Sequence, residues 1–267
     1  MFQVKAKIIK NKLVKGSYFH LLLNAPEIAK KASPGQFVNI KVSDNLEPLL
    51  RRPLSIHRVN KNNIQMLYEV VGKGTQILSK RKSGEYLDIV GPLGNGFKLT
   101  SKGAGLNILV AGGMGVAPLL FLAERLADRK LQMAKHRDLV LIGAKTKNQV
   151  CCVDEFKKIG CDVKLATDDG TVGFRGRVTA LLKEVLRLAT SDKRLAIYAC
   201  GPRPMLKAVS EISRKFKVPA QISLEEHMGC GIGACMGCVV RTNFGYKRVC
   251  KDGPVFLSDE IIWEEKE

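Results

Sequence analysis

"LNILVAGGMGVAPLLFLA", residues 106–123, is the most apolar run in the chain. A membrane-spanning helix needs about twenty apolar residues without interruption. Here Gly112, Gly113, Gly115 and Pro118 break the middle of the run. It therefore reads as a buried strand, a glycine-rich loop and the first turns of a helix. The three glycines let the backbone approach a ligand closely. The helix that opens at Val116, Ala117 and Pro118 turns its free N–H groups toward the loop, where they suit a phosphate. Pro118 stands early enough in that helix to be tolerated. The pattern is not G-x-G-x-x-G, so a plain packing turn between strand and helix competes with a nucleotide loop.

Outward from this stretch the chain divides into two patterns. Toward the C-terminus, "NILVAGG", "LVLIGA", "DVKLAT" and "LAIYACG" read as buried parallel strands. "APLLFLAERLADR", "GRVTALLKEVLRLA" and "RPMLKAVSEISRKF" read as amphipathic helices between or after them. That alternation predicts a doubly wound α/β domain. Toward the N-terminus, "VKAKIIKNKLV", "YFHLLLNA", "GQFVNIKV", "PLSIHRV", "IQMLYEVV" and "EYLDIVGP" read as short strands bounded by turn residues. Their spacing predicts an antiparallel β-barrel or sandwich, of which the barrel is the reading adopted. The expected organisation is a barrel over 1–100, an α/β domain over 101–220 and a small Gly- and Cys-rich region over 221–267. The last is too short for a core of its own without a metal centre.

Composition limits the function classes. A hydrophobic share of 45% argues against disorder. The N-terminus alternates apolar and charged residues and lacks the continuous apolar segment of a signal peptide. A cytoplasmic location is expected, where thiols stay reduced, so structural disulfides are disfavoured. The net charge of +19 admits a nucleic-acid or membrane partner. The lysines are scattered, however, and no nucleic-acid recognition pattern accompanies them; a solvated basic surface without either partner is the expectation.

Several motifs lie at the expected loops. "YACGPRPML", residues 198–206, ends a strand at Cys200, Gly201 and Pro202 and opens a helix. Ligands of open α/β sheets bind outside such carboxyl ends. Asp168 follows the strand "DVKLAT"; its carboxylate could accept from a ribose hydroxyl and would repel a 2′-phosphate, which favours NAD over NADP. In the barrel, "RRPLSIHRV" presents Arg52, suited to a phosphate, and Ser55, whose hydroxyl can donate to a ring nitrogen. "LYEVVGKGT", residues 67–75, ends in a loop with Gly74 and Thr75 that could hold a pyrophosphate through its N–H groups.

"EEHMGCGIGACMGCVVRTNFGYKRVCKDG", residues 225–253, holds Cys230, Cys235, Cys238 and Cys250 in the spacing C-x4-C-x2-C-x11-C. Its opening is that of a plant-type [2Fe–2S] loop. Four thiolates can also hold zinc, though zinc sites usually pair C-x2-C with C-x2-C. Interleaved glycines let the chain wrap tightly around either metal. Zinc carries no electrons, and a neighbouring flavin would need a one-electron partner, which favours iron.

The succession "PGQFV", "RPLS", "GKGT", "GPLGNGF", "AGGMGVAP" and "CGP" resembles the ferredoxin–NADP reductase family over nearly all of 2–220. With "SLEEHMGCGIGACMGC" it is similar to the electron-transfer subunits of NAD-dependent bacterial dihydroorotate dehydrogenases. The resemblance implies FAD on the barrel, NAD on the α/β domain and a [2Fe–2S] cluster on Cys230, Cys235, Cys238 and Cys250. It implies flavin contacts from Arg52, Pro53, Leu54, Ser55, Leu67, Tyr68, Glu69, Gly74 and Thr75, with Glu69 departing from the arginine common there. It implies nucleotide contacts from Gly112, Gly113, Gly115, Val116, Ala117, Pro118, Gly201 and Pro202, and catalytic roles for Ser55 and Cys200. It further implies an oxidoreductase subunit in pyrimidine biosynthesis. Its partner would be an FMN-containing dihydroorotate dehydrogenase subunit, two of each in a heterotetramer. Electrons would arrive through the cluster and leave through FAD to NAD. A related ferredoxin- or hydrogenase-linked reductase, and a zinc-stabilised nucleotide- or nucleic-acid-binding protein, are the competing readings.

Overall fold

A computed structural model describes residues 1–99, 105–130, 138–189 and 195–263. The expected boundary at residue 100 and the end of the third region lie outside the described residues. Strands β1 (Phe2–Lys15), β2 (Tyr18–Asn24), β3 (Phe37–Lys41), β4 (Arg52–Ser55), β5 (Arg58–Asn60), β6 (Asn63–Glu69) and β7 (Tyr86–Leu93) form one antiparallel sheet. Its order is β4-β3-β7-β1-β2-β6-β5. Two short helices, α1 (Pro26–Ala29) and α2 (Lys73–Ser79), lie in its connections. Alternate residues Ala6 and Ile8, Leu21 and Leu23, Val38 and Ile40, and Ile64 and Met66 turn inward and are buried together, the period of two that strands impose.

The stretch "PLSIHRV", expected as one strand, is two. Only Ile56 and His57 separate β4 from β5, and three peptide steps span at most about 11 Å. The sheet's two edges must therefore meet. The Ile56 N–H donates to the Gln36 carbonyl (3.0 Å) and the His57 N–H to the Gln65 carbonyl (2.8 Å). This corner joins the β3 side to β6 and curls the sheet into a barrel.

The second sheet comprises β8 (Leu106–Gly112), β9 (Leu139–Ala144), β10 (Asp162–Thr167), β11 (Phe174–Arg175), β12 (Leu195–Cys200), β13 (Ala220–Ser223) and β16 (Val255–Leu257). The order is β11-β10-β9-β8-β12-β13-β16, parallel throughout except for β16 against β13. Helices α3 (Val116–Lys130), α4 (Val153–Ile159), α5 (Val178–Leu188) and α6 (Arg203–Phe216) cover it. α5 buries Val178, Leu181, Leu182 and Leu186, one stripe at helical spacing. The chain winds from β8 to β11 in one direction and resumes at β12 on the other side of β8. The switch point therefore lies between β8 and β12.

Strands β14 (Val239–Thr242) and β15 (Gly245–Arg248) form a hairpin. Cys238, Val240, Val249, Cys250 and Phe256 are buried in one core with Ile197, Leu206 and Val209 of the α/β sheet. The region after 220 thus borrows its core from its neighbour. Among the described residues no helix is long and apolar enough to cross a membrane.

Helix α3 ties barrel to α/β sheet. Phe121 projects from it into the barrel core, where 1% of it is exposed. Arg58 Nε donates to Glu124 Oε1 (2.5 Å), and Arg125 lies 5.2 Å over the Phe121 ring. The buried His57 ring bonds through Nδ1 to the Ala117 carbonyl (2.9 Å), so Nδ1 carries a proton and donates. Burial lowers the His57 pKa to about 4 from 6.5, opposed by the Ala117 bond. The unfolded chain therefore takes up this proton first as pH falls. Stability is complete above about pH 6.5 and is lost toward pH 4, by about 3 kcal/mol. His20, lowered chiefly by burial, acts in the same direction. Urea unfolding at pH 7 and pH 5 checks this: the wild type should lose stability across that interval, and His57→Gln should remove most of the dependence.

Candidate functional site

The glycine loop after β8 and the Cys-Gly-Pro loop after β12 meet at the switch point. Cys200 and Ala111 are register partners. A Cβ on Gly115 would lie 1.9 Å from the Cys200 carbonyl oxygen, and one on Gly112 would lie 2.6 Å from Met205 Sδ and 2.8 Å from Pro202 Cδ. Only glycine permits this approach. Gly201 closes on Gly112 from the other side, 3.0 Å from its Cα to a built Cβ. Val116 opens α3, and Ala117 gives its carbonyl to His57. The sequence-predicted residues 112–118 and 200–202 are thus gathered in one place.

Beside them lies a cavity of about 300 Å³ lined by Gly201, Pro202, Arg203, Leu224, Glu225 and His227, among others. Arg203 pairs with Glu226 (2.8 Å) and stacks on Trp263 at 5.5 Å. Burial pushes the Cys200 thiol up to about 12, with a hydrogen bond from Ser223 opposing it. Cys200 is therefore a neutral thiol at physiological pH, unsuited to thiolate chemistry. Asp168 is exposed at the end of β10, two strands away from β8. The neighbouring Asp169 is occupied with Thr171, accepting from its N–H and its hydroxyl.

On the barrel, Val38 and Ile40 face the barrel core while Phe37 joins the core shared by the α/β sheet and the cysteine region. The outer face of β3 thus presents Phe37 and Asn39. Ser55 is opposite Phe37 and Pro53 opposite Asn39. Paired residues share a face, so Pro53 and Ser55 stand on the outer face. Leu54 packs on the barrel core. Arg52 lies against Gly74, where a Cβ would meet its Nε at 2.2 Å. The two segments are far apart in sequence and touch in the fold. Thr75 is committed to its own loop: its Oγ accepts from the Val71 and Gly72 N–H groups and donates to the Gly72 carbonyl.

The side chains of positions 67–69 take separate directions. Leu67 lies in a core shared with the α/β sheet. Tyr68 turns into the barrel, stacked on Phe19 (5.6 Å) with its hydroxyl donating to Asn11 Oδ1 (3.1 Å). Burial raises its pKa. Glu69 accepts from the Ser17 hydroxyl (3.0 Å).

The four cysteines are arranged two and two. The Cys235 N–H donates to Cys230 Sγ (3.3 Å), and the Cys250 N–H to Cys238 Sγ (3.4 Å). Burial opposes ionisation of Cys230, but N–H groups of Cys235, Ile232 and Ala234 outweigh it and bring the thiol down to about 6. Burial and the neighbouring Cys238 push Cys250 up to about 12. A cation between such a pair would remove the like-charge penalty. Among the described residues no three His, Cys, Asp or Glu converge to hold a single metal ion. Two adjacent thiol pairs instead match a two-iron centre with two thiolates on each iron.

Three side chains whose contacts the sequence did not reveal hold this loop in place. Asn39 Nδ2 donates to the Cys230 carbonyl (3.3 Å). Arg248 Nη1 donates to the Gly233 carbonyl (2.8 Å) while its Nε reaches Asp252 (3.2 Å). Asn95, in the turn "GPLGNGF", donates to the Lys251 and Asp252 carbonyls (3.1 Å each). The one available signal was Asn39, a polar residue inside the apolar run "FVNIKV".

Comparison with known proteins agrees with this geometry. Residues 225–262 match the iron-sulfur cluster binding domain of dihydroorotate dehydrogenase B, and residues 109–211 match an oxidoreductase NAD-binding domain. The solved NADH-dependent reduced ferredoxin-NADP oxidoreductase superposes with a TM-score of 0.82 at 32% identity, covering 97% of this chain and 90% of the other. The cytochrome b5 reductase domain of Ulva prolifera nitrate reductase shares the fold, with a TM-score of 0.66 at 16% identity over 81% of this chain and 93% of that domain. The dihydroorotate dehydrogenase B (NAD(+)) electron transfer subunit of Desulforamulus reducens is 41% identical over 97% of this chain and 98% of its own. That of Geobacillus thermodenitrificans is 40% identical over 96% of each. Identity at this level, sustained from end to end across barrel, α/β sheet and cysteine loop, places the chain in the family of dihydroorotate dehydrogenase B electron transfer subunits.

Proposed function

We propose that this chain conducts electrons from an FMN-containing, dihydroorotate-oxidising partner to NAD⁺ in pyrimidine biosynthesis, as a cytoplasmic subunit of a heterotetramer with two copies of each chain. The observation that carries the reading is the pairing of the four thiols on a loop that packs against the outer face of β3, next to Pro53 and Ser55. When bound, FAD exchanges a hydride for single electrons and the [2Fe–2S] cluster carries single electrons.

The chain's own residues position these groups. Residues 1–100 hold FAD, 101–220 hold NAD and 221–267 hold the cluster. Arg52, against the Gly74 backbone, meets the flavin pyrophosphate as a charge. The Val71–Thr75 loop is kept rigid by the Thr75 hydroxyl. Pro53 and Ser55 would line the flavin ring with their side chains and Leu54 with its backbone, and the Ser55 hydroxyl would donate to a ring nitrogen. Leu67, Tyr68 and Glu69 would contact FAD through the backbone of β6, whose Tyr68 and Glu69 side chains are held by Asn11 and Ser17. Gly112 to Ala117 would receive the nucleotide phosphates on backbone N–H groups, with Pro118 fixing the first turn of the helix; Gly201 and Pro202 would flank the nicotinamide, and the neutral Cys200 would pack beside it. Asp168 accepts from the adenosine ribose and selects NAD over NADP. Cys230 and Cys235 would hold one iron of the cluster, and Cys238 and Cys250 the other. A second reading, a related reductase with a different electron-donating partner, is favoured by the 0.82 TM-score to the ferredoxin-NADP oxidoreductase.

Co-expression with the FMN subunit, followed by assay of dihydroorotate-dependent NAD⁺ reduction, separates the two. Stable co-purification and turnover are expected; a fully loaded protein that couples only to ferredoxin would favour the second reading. Cys235→Ser is expected to keep NADH–dye reduction and to lose partner-coupled turnover at least tenfold. In Gly115→Ala the added methyl meets the Cys200 carbonyl, so the loops must part. NADH affinity should fall at least tenfold in a titration, with about 1–3 kcal/mol of stability lost to overpacking in urea unfolding.

A further inference from the structure

We propose that Asn39 is a positioning residue that bridges the cluster loop and the flavin, its Nδ2 holding the Cys230 carbonyl and its Oδ1 accepting from the imide N–H of the flavin ring. Asn39 is 1% exposed and sits in the middle of β3, between Pro53 of β4 and Val90 of β7 in register. Its Nδ2 donates to the Cys230 carbonyl at 3.3 Å. Its Oδ1 is buried and has no hydrogen-bond partner among the described residues. Buried amide oxygens are almost always satisfied, so this acceptor awaits a donor that the chain does not supply.

Position selects the donor. Asn39 projects from the same outer face as Phe37; its direct cross-strand partner Pro53 lies about 5 Å away between Cβ atoms, and Ser55, on the diagonal, about 7–8 Å. If the flavin ring rests on Pro53 and Ser55, as the proposed function has it, its rim lies within reach of Oδ1. The imide N–H is the ring's own donor in the oxidised state. On the other side the fit is tight: a Cβ on Gly231 would lie 2.2 Å from Asn39 Nδ2. One side chain therefore meets the peptide that follows a cluster thiol and the strand that carries the flavin, and it sets the spacing between them.

The test uses the holoprotein, with FAD and N3-methyl-FAD as probes and the low-temperature EPR spectrum of the reduced cluster as a second readout. In wild type, FAD should bind at least about fivefold more tightly than N3-methyl-FAD, the size expected of one hydrogen bond. Asn39→Leu should abolish that discrimination and shift the cluster g-values. Asn39→Asp, which keeps the acceptor and loses the donor, should retain the discrimination and still shift the cluster spectrum. This second variant serves if the first fails to fold. Discrimination that persists in Asn39→Leu, or is absent from wild type, overturns the imide contact. An unshifted cluster spectrum in both variants overturns the bridge. Wild-type protein that binds neither flavin nor cluster would instead defeat the functional reading on which this proposal rests.

Discussion

The docking of helix α3 on the barrel is the constraint from which the rest of the site takes its shape. The buried imidazole of His57 donates a hydrogen bond from Nδ1 to the Ala117 carbonyl, and four residues further along, Phe121 fills the barrel core. Ala117 belongs to the nucleotide loop, and His57 belongs to the corner that closes the barrel two residues after Ser55. One hydrogen bond therefore fixes the expected nucleotide loop against the expected flavin strand. The Ala117 carbonyl favours the charged ring, but burial makes that form expensive and outweighs it, so the docked arrangement is stable where the imidazole stays neutral and weakens where it must be protonated.

The cysteine region depends on its neighbours in another way. It is too short to bury an apolar core alone, and it solves this by contributing to the core of the α/β sheet. β16 extends that sheet, and Val240, Val249 and Phe256 pack with Ile197 and Val209. Polar contacts then orient the ligand loop: Asn39 from the barrel, Asn95 from its last turn, and Arg248 from within. The loop is thus clamped between the flavin side and the nucleotide side. A centre that exchanges electrons across a short gap needs its position held, not merely its ligands supplied.

Much of the fold was legible in the residues. The strand–loop–helix at 106–123, the parallel strands β8, β9, β10 and β12, and helix α6 at Arg203–Phe216 stand where apolar periodicity placed them, because long amphipathic or buried segments carry a strong signal. The corner at Ile56–His57 did not, since the apolar–polar alternation runs from Leu54 to His57 and only a second polar residue, Arg58, marks the break. The short helices α1, α2 and α4, and strands β11, β13 and β16, were missed for a related reason: a few residues hold too little pattern to separate from a loop. Tyr68 and Glu69 show the same limit in the site. Their neighbourhood was legible, but the direction of each side chain follows from strand parity and barrel curvature.

The sequence by itself determined the chemistry available: four cysteines at a ligand-like spacing, glycines where backbone must come close, and an arginine beside a barrel strand. These are properties of residue type and local spacing, and they survive without a fold. Only the tertiary structure decided how the thiols divide into pairs, that Gly115 is pressed against the Cys200 carbonyl, and that Asn39 reaches the Cys230 peptide 191 residues away. Those facts depend on register, on the switch point between β8 and β12, and on the closing of the barrel. Each arises from segments distant in the chain, whose mutual placement is set by burial of their shared apolar faces and not by any motif within them.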